Sequence, residues 1–68
     1  MPITYEREIE DLLKEAIILG KELGYLSASI IQRKLRLGYA KSAMILDILE
    51  EKGMLEPYNG SKPRKFHA

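Results

Sequence analysis

The sequence predicts a mostly helical α+β domain in which three helices are followed by a short β-hairpin. Apolar residues recur at helical spacing in three segments, glycines end those segments, and an Asn-Gly turn separates two short extended stretches near the C-terminus. The chain has 68 residues and no cysteine. We therefore expect one domain over residues 1–68, ordered from about 5 to 67, that depends on a single apolar core without disulfides.

The first helix is predicted at about residues 5–22. Thr4 is its expected N-cap, and acidic residues follow in the first turn, where their charge suits a helix N-terminus. Gly20 is expected to weaken the end of this helix, and Gly24 to terminate it. The apolar positions that recur along it are Ile9, Leu12, Leu13, Ala16 and Ile17.

The second helix is predicted from a capping box. Ser29 and Gln32 have the spacing at which a hydroxyl and an amide satisfy the free backbone groups of a helix start. The helix is expected to run from Ile30 to about Arg36 and to stop at Gly38, after a short extended link at Leu26 and Ser27. Its outward-pointing residues are Arg33, Lys34 and Arg36.

The third helix is predicted over about residues 40–52, ending at Gly53. Only a short turn, residues 37–39, separates it from the second helix, which is helix-turn-helix spacing. The stripe expected to be buried consists of Ser42, Ile45, Leu46 and Leu49. The opposite face carries Ala40, Met44, Asp47 and Glu51, with Lys41 beside them.

The C-terminal part is predicted as a hairpin, with strands at residues 54–57 and 64–67 around a turn at Asn59-Gly60. Three helices followed by a hairpin with a basic tip is the element order of a winged helix.

The charge distribution favours a polyanionic partner, although the net charge is only +1. Residues 1–26 hold three basic and six acidic residues, and residues 47–56 hold one basic and four acidic residues. Residues 27–46 hold four basic residues and no acid, and residues 57–68 hold three and none. If the two basic blocks meet in space, they form one face suited to phosphates.

The candidate DNA-binding residues lie in three places. In a helix-turn-helix the helix before the turn crosses the phosphate backbone and the next helix enters the major groove. On the second helix and the turn the candidates are Gln32, Arg33, Lys34 and Arg36, for which an ordinary solvated helix face is the alternative. On the third helix they are Tyr39, Ala40, Lys41, Met44 and Asp47. In the hairpin they are Ser61, Lys62, Arg64 and Lys65, for which a plain surface turn is the alternative.

Three of these residues have the position of base readers. Met44 lies about 160–200° from the apolar stripe, so it is either a single exposed methionine or a partner for a thymine methyl group. Ala40 can pack on the same methyl group. Asp47 is either a solubilising charge or an acceptor for a cytosine amino group.

The sequence gives little support for a catalytic function. There is no Cys/His pair, nucleophile elbow, phosphate loop or metal-ligand spacing. We therefore expect no enzyme activity, cofactor, metal or small-molecule substrate, and His67 is expected to be a solvated tail residue. No apolar run approaches the ~20 residues that cross a bilayer. The chain is expected to be soluble and cytoplasmic, without membrane contact by this domain.

Four pieces of the chain match a known family: Ser27-x-Ser29-x-x-Gln32-Arg33-x-Leu35-Arg36-Leu37-Gly38-Tyr39, residues 43–50, Gly53, and Gly60-Ser61-Lys62-Pro63-Arg64. They closely resemble the gamma domain of FtsK/SpoIIIE-type DNA translocases, and the resemblance covers about residues 5–67. It implies a winged helix that recognises short G-rich polar sequences and so orients a translocase in chromosome segregation and cell division. It also implies contact with a tyrosine recombinase. The ATPase motor and the membrane anchor of such proteins lie in other domains.

This chain departs from the family at the base-reading positions. The family's recognition helix usually begins Gly-Tyr-Asn-Arg-Ala-Ala-Arg and reads bases with the Asn, the second Arg and a later Glu. Here those positions hold Ala40, Met44 and Asp47, so we expect a target with fewer G·C requirements. The alternatives to a translocase module are a winged-helix transcriptional regulator and a winged helix used for protein contact.

Overall fold

The computed structural model describes the backbone of residues 2–60 and 62–67, and the side chains of residues 8–60 and 62–67. It confirms the mostly helical α+β winged helix, with three helices and a small antiparallel sheet. In chain order the elements are α1 (Pro2–Leu23), β1 (Tyr25–Leu26), α2 (Ala28–Leu35), α3 (Tyr39–Glu51) and β2 (Arg64–Lys65). No helix in this described part combines the length and apolar character needed to cross a membrane.

Helix α1 differs from its prediction at both ends. It begins at Pro2, so Thr4 is not its N-cap, and the Thr4 side chain lies outside the described residues. The helix continues through Gly20 to Leu23 before Gly24 ends it with a φ of +83°. Gly20 is a packing position, because a Cβ atom there would lie 2.5 Å from Cδ1 of Phe66. The lack of a side chain at Gly20 therefore lets α1 pack directly against the Phe66 ring.

Helix α2 begins two residues before its predicted start. Ser27 is extended, with φ −147° and ψ 164°, and its Oγ accepts a hydrogen bond from the Ile30 N–H at 3.2 Å. The capping box predicted at Ser29 is therefore wrong. Strand β1 ends at Leu26, so the backbone is still extended at Ser27, as an N-cap requires. The Ser27 hydroxyl is therefore in position to cap the helix.

The turn between α2 and α3 is formed by Arg36 and not by the glycine. Arg36 adopts the left-handed conformation, with φ 56° and ψ 51°. The Leu37 N–H donates to the Gln32 carbonyl at 3.1 Å, the bond that closes this kind of helix end. Gly38 is extended and serves as the N-cap of α3.

The buried stripe of α3 is confirmed. Its members Ser42, Ile45, Leu46 and Leu49 are all at most 4% exposed. The Ser42 hydroxyl, the polar member, donates to the Gly38 carbonyl at 2.9 Å, so its burial leaves no unsatisfied group. Gly53 ends the helix with a φ of +78°, as predicted. The remaining core residues are Ala16, Leu26, Ile31, Leu55 and Phe66.

The hairpin prediction is correct for its second strand and wrong for much of the first. Strand β2 pairs antiparallel with β1, in the register Tyr25 to Lys65 and Leu26 to Arg64. The stretch predicted as the first hairpin strand contributes an isolated bridge from Leu55 to Phe66. His67, expected to be a solvated tail residue, donates its N–H to the Met54 carbonyl at 2.7 Å, and its ring contacts the Glu56 carboxylate.

Candidate nucleic-acid interface

A groove of about 440 Å³ opens between the N-terminal half of α2, the helix α3 and the segment 58–64, which we call the wing. Residues from both basic blocks line this groove, but the cations in its lining, Lys62 and Arg64, both come from the wing. The exposed or half-buried side chains along it are Ser29 and Gln32 from α2, Tyr39 and Asp47 from α3, and Tyr58 and Lys62 from the wing.

The cations of α2 divide between two faces of the domain. Arg33 is exposed and does not line the groove, but it follows the groove residue Ser29 by four positions and therefore lies near the groove on the helix surface. Lys34 lines a shallow depression on the other side, together with Glu15 and Glu22 of α1. Lys34 therefore lies among carboxylates that oppose the approach of a polyanion. The sequence predicted both cations for one interface, and the structure does not bring them together.

The exposure of the residues on the outer face of α3 is close to what the sequence predicted. Ala40 and Asp47 are exposed, while Met44 is half-buried. Met44 and Ala40 line a second concavity with Arg36, at the edge of the helix-turn-helix turn. Met44 is thus partly covered, and what it presents outward is a small apolar surface beside a cation.

Lys41 faces α1. Its Nζ forms an ion pair with the Glu8 carboxylate, and its side chain is 32% exposed. The prediction placed Lys41 beside the outer face of α3, and the structure shows that this side of the helix meets the beginning of α1. A phosphate contact by Lys41 has to compete with Glu8.

Arg64 in the wing is buried and bonded to other residues of the domain. It is 4% exposed, and its Nη1 donates to Oε1 of Glu50 at 2.9 Å and to the carbonyl of Glu56 at 3.2 Å. The charge of its guanidinium is thus offset by a carboxylate, and its donors point inward. The sequence predicted a DNA contact for Arg64 because it is one of three cations in a block without acids around the hairpin turn, and the sequence could not show that strand alternation turns it inward.

The other wing candidates differ in their surroundings. Lys62 is exposed and lines the groove. Lys65 is exposed on the other side of β2 from Arg64, beside Tyr25 in the sheet register, and does not line the groove. Ser61 lies outside the described residues.

Two residues that sequence reasoning missed belong to this site. Tyr58 lines the groove and is 70% exposed. Glu50 holds Arg64 and also accepts the Tyr58 backbone N–H at 3.3 Å. The signal for Tyr58 was an aromatic residue directly before a basic turn. For Glu50 there was none, because its contacts join positions far apart in the sequence.

The groove has the chemistry of a binding surface. The polar groups of its exposed and half-buried side chains are hydroxyls, an amide, one carboxylate and an ammonium group, which suit hydrogen bonds to phosphates and base edges. Among the side chains the structure describes, no three His, Asp or Glu residues lie close enough together to hold a metal ion.

Comparison with known proteins gives a consistent result. The family model of the FtsK gamma domain matches residues 7–68. The DNA translocase FtsK of Caldanaerobacter subterraneus subsp. tengcongensis is 47% identical over 61 residues, which are 90% of this chain and 9% of that protein. The DNA translocase SpoIIIE of Bacillus subtilis is 39% identical over 62 residues, 91% of this chain and 8% of that protein. The chain thus spans less than a tenth of the length of these curated relatives.

Proposed function

The chain belongs to the FtsK gamma domain family, and on that premise we propose that it binds double-stranded DNA and thereby orients a DNA translocase on short polar sequences. The matched stretch is the small gamma domain and not the ATPase motor. One observation carries the proposal. A single groove joins α2, α3 and the wing, with the exposed Lys62 in its lining and the exposed Arg33 next to the groove residue Gln32 on α2.

The mode of binding follows from the order of these elements. With α3 in the major groove, α2 and the wing lie over the flanking backbone strands, as in other helix-turn-helix proteins. The phosphate contacts then come from the exposed cations on this side, Arg33, Arg36 and Lys62. We leave Arg64 out because its guanidinium is buried and paired with Glu50, and Lys34 because it lies beside two glutamates.

The decisive experiment measures the affinity for a short random duplex as a function of salt. If about three phosphates are contacted, the slope of log K against log salt is about −2.7, since each contact contributes about −0.9. The variant Arg33→Glu combined with Lys62→Glu should reduce binding strongly at every sequence. Arg33→Glu alone and Lys34→Glu form a matched pair, because each reverses one charge on the same helix but Lys34 lies on the face beside Glu15.

At about 150 mM salt the Debye length is about 8 Å, so Lys34→Glu should have a much smaller effect than Arg33→Glu alone. Equal losses in the two proteins would show that the interaction is a general charge effect and not a docked interface.

Sequence preference in this proposal rests on Ala40, Met44 and Asp47. Ala40 and Asp47 are exposed on the outer side of α3, where they can reach base edges, and Met44 offers part of its side chain there. The Asp47 carboxylate accepts a hydrogen bond from a cytosine amino group, and the side chains of Ala40 and Met44 pack on thymine methyl groups. The preferred target therefore has fewer G·C requirements than the G-rich sites that the resemblance implies.

Protein contact is a second candidate function, and one observation favours it. Ile18 of α1 is 58% exposed and lies with Leu19 and Leu35 in a depression that is separate from the groove. The partner that the resemblance implies is a tyrosine recombinase. Ile18→Glu should weaken recombinase binding in a pull-down without changing the affinity for random duplex, and an unchanged pull-down would remove this face from consideration.

A further inference from the structure

Tyr58 is the most exposed of the large apolar side chains in the described part of the chain, at 70%. An exposed tyrosine is ordinary on a protein surface. What sets Tyr58 apart is its position on the wall of the groove, directly before the turn that carries Lys62.

The exposed ring is held by contacts from one partly buried ion pair, between Arg64 and Glu50. Oε1 of Glu50 accepts the Tyr58 backbone N–H at 3.3 Å and the Arg64 Nη1 at 2.9 Å. The guanidinium carbon of Arg64 lies 5.7 Å from the centroid of the Tyr58 ring, within the range of a cation–π contact. The same guanidinium donates to the Glu56 carbonyl at 3.2 Å. The pair thus restrains both the backbone and the ring of Tyr58.

Such restraint matters for binding, because a side chain that is already ordered loses less entropy when a ligand arrives. The groove that Tyr58 lines also carries Tyr39 of α3, which is 63% exposed. A tyrosine ring offers an apolar face for a deoxyribose, and its hydroxyl donates to a phosphate oxygen. Lys62 beside it supplies a positive charge for the same strand.

We propose that Tyr58 contacts the sugar-phosphate backbone of the bound duplex, and that Arg64 and Glu50 are positioning residues that hold it in place. This inference rests on the proposed DNA binding and adds a neutral aromatic contact to it. It also changes the role of Arg64. The residue supports binding through the ring it holds and touches no phosphate itself.

The test uses the intact chain and a short random duplex over a range of salt concentrations. Tyr58→Ala should weaken binding about tenfold, as expected for the loss of one hydrogen bond to a charged group. The salt slope should not change, because a tyrosine carries no charge. Tyr58→Phe removes the same hydroxyl, so it should lose most of this affinity and keep only the contact between the ring and the sugar. Tyr25→Ala is the matched control, since Tyr25 is 46% exposed but does not line the groove.

The role of Arg64 is tested by a double-mutant cycle. Arg64→Lys keeps the charge but loses the planar group that lies over the ring, so binding should weaken with an unchanged salt slope. In the Tyr58→Ala background the same change should have little further effect. If Arg64 instead contacts a phosphate, Arg64→Gln lowers the magnitude of the slope by about 0.9.

Two further measurements separate the possible failures. Thermal unfolding shows whether Arg64→Lys still folds. If it does not, the NMR signals of the Tyr58 ring in the unaltered chain decide, because they should shift on addition of duplex while those of Tyr25 do not. If the unaltered chain binds duplex but Tyr58→Ala binds equally well, this inference is overturned and the proposed function stands. If the unaltered chain binds no duplex, both fall.

Discussion

Arg36 combines an unfavourable backbone conformation with a favourable charge, so replacing it should move stability and DNA binding in opposite directions. Its φ of 56° is the only positive value among the non-glycine residues that the structure describes. The left-handed region costs an L-residue about 1–2 kcal/mol. Glycine avoids this cost but loses about 0.5–1 kcal/mol through its more flexible unfolded state. Arg36→Gly should therefore stabilise the domain by about 0.5–1 kcal/mol.

For a domain of this size, 1 kcal/mol corresponds to about 4–8 °C in Tm, so we expect an increase of roughly 2–8 °C by calorimetry. The affinity for random duplex should fall severalfold and the magnitude of the salt slope by about 0.9, because one phosphate contact is lost. Arg36→Ala is the matched control: it removes the same charge but keeps the strained backbone, so it should bind as weakly without the gain in Tm. Equal Tm values for the two variants would refute the backbone argument, and unchanged DNA binding in both would refute the phosphate contact.

Three other changes test the core and the specificity. Gly20→Ala should destabilise the domain by about 1–3 kcal/mol in denaturant unfolding, because a Cβ atom would collide with the Phe66 ring, and an unchanged midpoint would contradict that packing. Leu46→Ala should lower the free energy of unfolding by roughly 2–5 kcal/mol, and Lys41→Ala by less than about 1 kcal/mol. Equal melting points for these two variants would mean that α3 is rotated from its observed orientation. Met44→Arg should increase the preference for guanine at one position about tenfold to a hundredfold in a selection from randomised duplexes, since arginine binds guanine bidentately. A thousandfold preference of the unaltered chain for the family's G-rich site would contradict this role of Met44.

The helical part of the fold was predictable because each helix carries its own periodic signal. The stripe from Ser42 to Leu49 was identified residue by residue, and both Gly24 and Gly53 adopt the positive φ expected at a helix end. These features depend on neighbours within a few residues, and a sequence displays such neighbours directly. The helix starts were less predictable. Two serines near the start of α2 had suitable side chains, and the choice of Ser27 depended on where β1 ends.

The sheet and the wing could not be predicted in detail, because they are formed by contacts between residues far apart in the sequence. Strand β1 has only two residues, too few to show alternation, and its partner lies about forty positions further along the chain. The role of Arg64 depended on Glu50, which became its neighbour only through the fold. The candidate site was therefore predictable as a set of elements, while the division of its cations into exposed and paired ones was not.

The central claim is that duplex DNA docks on the groove between α3 and the wing. It is tested most directly by recording the backbone amide NMR spectrum of the labelled chain while a short duplex is added. The largest shifts are expected around Tyr39, Asp47 and Gly60, which line the groove, with little change around Ile18 and Glu22 on the opposite face. Shifts concentrated on that α1 face, or no shifts at low salt, would contradict the claim.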